Sequence, residues 1–163
     1  MKNNICNAPG TACRQLAPFI LRIVIGFGFM AHGWAKFTKG ADVFADFLFK
    51  LHVPQAHLMA WITIVTELVG GIALIMGLLT RFFTLPLIII MLVAMFTIHI
   101  NYGFSAVKTI GYSAQGPVFG PPGYEINLVY IAALVALFIL GSGRYSVDAL
   151  IVKKPKIQTG YDQ

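Results

Sequence analysis

The side chains most able to do chemistry in this sequence sit where charge is least welcome. Glu67 lies inside an uninterrupted apolar run, Leu58–Leu79. A second run, Ala17–Phe37, carries Arg22, His32 and Lys36. His99 falls near the end of a third run and Glu125 at the start of a fourth. Ionisable groups persist in hydrocarbon mainly by pairing with one another or by facing a polar cavity. An imidazole beside a carboxylate can take up and deliver protons inside an apolar pocket. Arg22 would hold such a carboxylate ionised. The same set would serve equally as a structural ion pair that fixes helix register. The sequence leaves both roles open.

The elements that position these groups follow from composition. The chain has 163 residues, 58% hydrophobic and 11% charged, with mean hydropathy +0.78. A soluble domain carries about 25% charged residues, so this chain reads as an integral membrane protein of one domain. Crossing about 30 Å of hydrocarbon takes about 20 helical residues. Ala17–Phe37, Leu58–Leu79, Phe82–Ile100 and Tyr124–Leu140 meet or approach that length. The alternation expected of barrel strands is absent from them. The expected fold is all-α, a membrane four-helix bundle over 17–148, with polar tails at 1–16 and 149–163.

Asp42–Leu51 reads as a short amphipathic helix on the outer face, with Asp42 as its cap and Asp46–Lys50 as an i,i+4 pair. Thr80 and Arg81 form a tight turn between the second and third spans. Residues 102–123, rich in Gly, Pro and aromatics, read as a long loop of the kind that forms lids, or as a plain connector. Arg144 and Asp148 are spaced for a further i,i+4 pair.

With four spans, both termini and the Thr80–Arg81 turn share one side, and that side holds most of the Lys and Arg. The positive-inside rule places it in the cytoplasm. A polar N-terminal stretch precedes the first run, so that run is expected to be retained rather than cleaved. The net charge of +6 calls for no nucleic acid, since anionic lipid headgroups suffice. Cys6 and Cys13 match no redox or metal spacing, and the four histidines lack ligand spacing, so no metal site is expected. No Rossmann or haem-attachment motif occurs either.

Arg22, Gly26, Phe29, His32, Gly33 and Lys36 share one helical face. Ala60, Thr63, Glu67, Gly70, Gly71 and Leu78 share another. Small residues allow close helix approach, so these two faces are expected to meet. At 1.5 Å per residue His32 is nearest in depth to Glu67, Arg22 lies roughly 9 Å deeper, and Lys36 snorkels at the outer surface.

At these residues the chain resembles the DoxX family of small four-helix membrane proteins. The resemblance rests on RIVIGFGFMAHGWAKF (Arg22–Phe37), TELVGGIALIMGLLTR (Thr66–Arg81), GYEINLVYIAALVALFILG (Gly123–Gly141) and GSGRYSVD (Gly141–Asp148). It implies a bundle in the bacterial inner membrane, with Arg22, His32, Lys36, Glu67 and Glu125 as recurring polar positions. Relatives named after subunits of a thiosulfate:quinone oxidoreductase imply redox company. The expectation is therefore a membrane subunit of quinone-linked or thiol-linked chemistry, with quinone as the cofactor to test. The alternative is a non-enzymatic scaffold, assembly partner or small-solute carrier. Expected partners are the bilayer, a membrane or peripheral redox protein, and a second copy of the chain.

Overall fold

A computed structural model describes residues 12–151. Most of both expected tails lies outside them. Six α-helices, a short 3-10 helix (His99–Tyr102) and one hairpin make up the described residues: α1 (Ala12–Lys39), α2 (Ala41–Lys50), α3 (Ala56–Met76), α4 (Thr80–Thr97), β1 (Thr109–Ser113), β2 (Gly116–Phe119), α5 (Glu125–Leu140) and α6 (Val147–Ile151). α1, α3 and α4 are long and apolar enough to cross a membrane. α5 is equally apolar but has 16 residues, about 24 Å of helix. The all-α membrane bundle is as expected.

α1 packs on α3, α3 on α4, α4 on α5 and α5 on α1, closing the ring. Ile25 and Phe29 of α1 meet Leu74, Leu87 and Leu134 of the other three helices in one buried core. Outward-facing residues such as Val24, Val65, Ile89 and Val129 remain apolar and exposed. That is the surface a bilayer requires. One end of the bundle carries α2 and the hairpin (the loop end), and the other carries the start of α1, the α3–α4 turn and α6 (the terminal end).

Several expected boundaries move. α1 begins at Ala12, inside the stretch read as a polar tail. The turn between α3 and α4 is Gly77–Leu79, and Thr80 already belongs to α4. Gly77 adopts φ 69°, and its N–H and that of Leu78 reach back to the carbonyls of Leu74 and Ala73. This left-handed stop favours glycine. Asp42 does not cap α2, because Gly40 occupies that position at φ 102°. No Asp46–Lys50 or Arg144–Asp148 salt bridge forms among the described residues. The long loop is partly folded: β1 and β2 pair antiparallel, Tyr112 opposite Pro117.

Candidate functional site

The register of α1 against α3 decides which charges meet. Gly26 lies against Gly71 and Ile75, Gly71 against Met30, and Gly33 against Glu67 and Leu68. A Cβ on Gly26 would fall 2.7 Å from the Gly71 carbonyl oxygen. Only hydrogen at these positions lets the two backbones come so close. Gly33 therefore marks the level of Glu67, and Lys36 sits one turn further on along the same face of α1.

Lys36 Nζ lies 2.5 Å from both Oε1 and Oε2 of Glu67 and donates to each. Glu67 is 2% exposed, and the Lys36 side chain keeps 26% of its surface. A forked, charge-assisted contact of this kind is among the stronger hydrogen-bonded arrangements available to a buried carboxylate. On its other side Lys36 Nζ stands 5.2 Å from the ring centroid of Phe44 on α2, a cation–π contact. Carboxylate, ammonium and aromatic ring are thus stacked where α1, α2 and α3 meet. Lys36 does not snorkel to the surface as expected. Its long stem turns inward because a carboxylate is within reach.

The expected neighbours of Glu67 are placed differently. His32 has the right depth, one residue before Gly33, but one residue is about 100° of helix. Its side chain is exposed and makes no hydrogen bond among the described residues. Arg22 is eleven residues before Gly33, about 16 Å along the helix, and belongs to the terminal end. There it is fully buried beside Gly77, and its Nη2 donates to the carbonyl oxygen of Tyr145. Arg22 is therefore not the counterion of Glu67.

His99 and Glu125 also lie apart from the pair. His99 Nδ1 is 2.9 Å from the Pro122 carbonyl oxygen, which requires the proton to sit on Nδ1. Glu125 Oε2 accepts the Ala106 N–H at 2.8 Å. Both clasp the loop that carries the hairpin. Neither of the two depressions that flank α2 is lined by His32, Glu67, His99 or Glu125. These two depressions, about 570 and 590 Å³, lie where α2 joins α3. One is lined by Asp42, Asp46, Gln55 and His57 over Ala45 and Phe49. No group of three or more metal-ligating side chains forms among the described residues.

Three residues outside the expected set matter to the bundle. Asn127 on α5 is buried and donates Nδ2 to the Met91 carbonyl oxygen at 3.3 Å. It is the lone side-chain amide in the fourth apolar run, which was the available signal. Asp148 accepts the N–H groups of Leu79 and Thr80 at the start of α4, at 2.9 and 3.4 Å. Tyr145 supplies the carbonyl that holds Arg22.

Comparison with known proteins agrees with this architecture. The DoxX family model matches residues 17–100. An uncharacterised protein of Haemophilus influenzae is 30% identical over 138 residues, 82% of each chain. The inner membrane protein YqjF of Escherichia coli is 28% identical over 135 residues, 83% of this chain and 92% of its own. An uncharacterised membrane protein of Mycobacterium tuberculosis is 26% identical over 138 residues, 82% and 80% respectively. No solved structure gives a significant match.

Proposed function

The chain belongs to the DoxX family, and from that premise we propose that it is a membrane-embedded subunit of a redox-linked assembly, working through the Lys36–Glu67 site. Relatives named as membrane and inner membrane proteins support the placement in a bacterial inner membrane. Counted along the sequence, Lys2, Arg14, Arg81, Arg144, Lys153, Lys154 and Lys156 against Lys39, Lys50 and Lys108 support a cytoplasmic position for the terminal end.

The observation that carries the reading is the ion pair itself. A carboxylate 2% exposed is held by one ammonium near the loop end. A proton moving from Lys36 Nζ to Glu67 turns the ion pair into two neutral groups at the same net charge of zero, whereas a proton handed to a partner leaves the pair at −1 until one is returned, a charge that electron movement in the partner would have to offset. Electron carriers would come from the partner. Both Glu67 oxygens are already engaged by Lys36, and Gly33 packs against the Glu67 Cβ and Leu68. No step is therefore assigned to a quinone.

A second reading has its own support. The pair lies on the close glycine-lined contact of α1 with α3, Gly26–Gly71 and Gly33–Glu67, where a charge pair would lock α1 to α3 in a purely scaffolding subunit. Complementation separates the two. A deletion strain of the native host is challenged with oxidant or thiol stress and supplied with wild type, Glu67→Gln, or Lys36→Leu with Glu67→Met, at matched membrane levels. The proton-handling reading expects both variants to fail to restore growth. Full rescue by the apolar double variant would overturn it and leave the lock.

A further inference from the structure

α2 is placed and jointed as a cover for the Lys36–Glu67 pair. It lies between two backbone joints in left-handed conformation. Gly40 at φ 102° links it to α1, and His52 (φ 59°) and Gln55 (φ 49°) bracket its exit towards α3. Left-handed conformation at non-glycine residues is costly and persists where the surrounding structure imposes it. α2 rests on α3 through a small apolar contact: Ala45, Leu48 and Ala60 are buried, with Phe44, Val53, Ala56 and Met59 around them. A polar tie crosses the same gap, from Asp42 Oδ1 on α2 to His57 Nε2 on α3 at 3.0 Å. Both partners are exposed. From this helix Phe44 extends over Lys36 Nζ, 5.2 Å from ring centroid to nitrogen.

We propose that α2 is a lid over the Lys36–Glu67 pair, turning on the Gly40 and His52–Gln55 joints and held shut by the Leu48 contact and the Asp42–His57 tie. Closed, it keeps the ammonium between a carboxylate and an aromatic face. Open, it withdraws Phe44 from the ammonium and uncovers that side of the pair. The two depressions beside α2, lined by Asp42 and His57 on one side and by His52, Pro54 and Gln55 on the other, leave the helix room to tilt. A lid explains how a carboxylate only 2% exposed could exchange a proton with a partner. In that respect the inference rests on the proton-handling reading, but the motion is measured without reference to it.

The test follows lid and lysine together in purified full-length protein in lipid nanodiscs. Backbone hydrogen exchange over residues 44–50 reports the lid. Modification of Lys36 by a water-soluble amine-acylating reagent, read by mass spectrometry, reports access, with Lys108 on the far loop as control. Asp42→Asn and His57→Gln each remove an exposed tie, and the two rates are expected to rise together by about two- to fivefold. Leu48→Ala thins the apolar contact and should raise both by about tenfold or more. Lys108 should not change. Two outcomes overturn the lid: faster exchange in α2 with unchanged modification of Lys36, or neither rate moving in Leu48→Ala. Either would leave the complementation results for Glu67 as they stand.

Discussion

Gly26 and Gly71 face each other across α1 and α3 so closely that a Cβ on either would lie 2.7 Å from the other's carbonyl oxygen. Neither neighbour can yield, because the obstructing atoms are backbone. Gly71→Ala would also meet the Met30 nitrogen at 2.7 Å. Each single substitution should force the helices apart and destabilise the bundle by about 1–3 kcal/mol, the usual cost of overpacking. Unfolding in mixed micelles as the fraction of denaturing detergent is raised measures this. A stability equal to wild type would mean that α1 and α3 do not cross at these residues.

Splitting the ion pair should cost more than removing it. Glu67→Leu leaves Lys36 charged with no acceptor, and Lys36→Leu leaves a buried carboxylate. Breaking one partner of a buried pair typically costs about 3–5 kcal/mol, whereas replacing both with apolar groups is often neutral. The double variant Lys36→Leu with Glu67→Met should recover most of the loss. A double-mutant cycle on the same unfolding assay checks it, with additive losses as the contrary result.

The fold was legible in the sequence because hydropathy reports burial in a bilayer directly. The site was legible only in part. The faces of α1 and α3 were predictable from their glycines, and the depth of His32 was correct. Yet depth does not fix azimuth: His32 and Gly33 differ by one residue, and one is exposed without a hydrogen bond while the other packs against Glu67. The partner of Glu67 had to be reached by a long flexible stem, so it came from Lys36, one turn beyond. Arg22 was misplaced because an apolar run does not reveal where two antiparallel helices come into register. The hairpin escaped notice because residues 109–119 are mixed with glycine and proline and show little alternation. The roles of Glu125 and Asp148 depend on contacts 19 and 69 residues away along the chain, which no local pattern encodes.

Asp148 ties the C-terminal segment to the start of α4. It takes the N–H groups of Leu79 and Thr80, donors with no partner inside their own helix. Asp148→Ala should cost about 1 kcal/mol, as loss of a helix cap does. Asp148→Asn, which keeps an acceptor oxygen, should cost less. Hydrogen exchange at residues 79–82 reports the effect locally. Equal exchange in wild type and Asp148→Ala would show that the cap is not used.

Gly123 secures the loop that bears the hairpin. Tyr124 and Glu125 donate their N–H groups to the carbonyls of Gly103 and Phe104, Gly123 donates to Ser105, and the Glu125 carboxylate takes the Ala106 N–H. The two chain segments lie so near that a Cβ on Gly123 would fall 2.7 Å from the carbonyl oxygens of both Phe104 and Ser105. Gly123→Ala must therefore open this clasp, and Glu125→Gln should loosen it more mildly, because a neutral amide accepts more weakly than a carboxylate. Neither residue belongs to the apolar core of α1, α3, α4 and α5, so hydrogen exchange over residues 103–120 should quicken in both variants while global unfolding shifts little. If Gly123→Ala instead lowers the stability of the whole bundle as much as Gly26→Ala does, the loop is part of the core cooperative unit and not a separately clasped element.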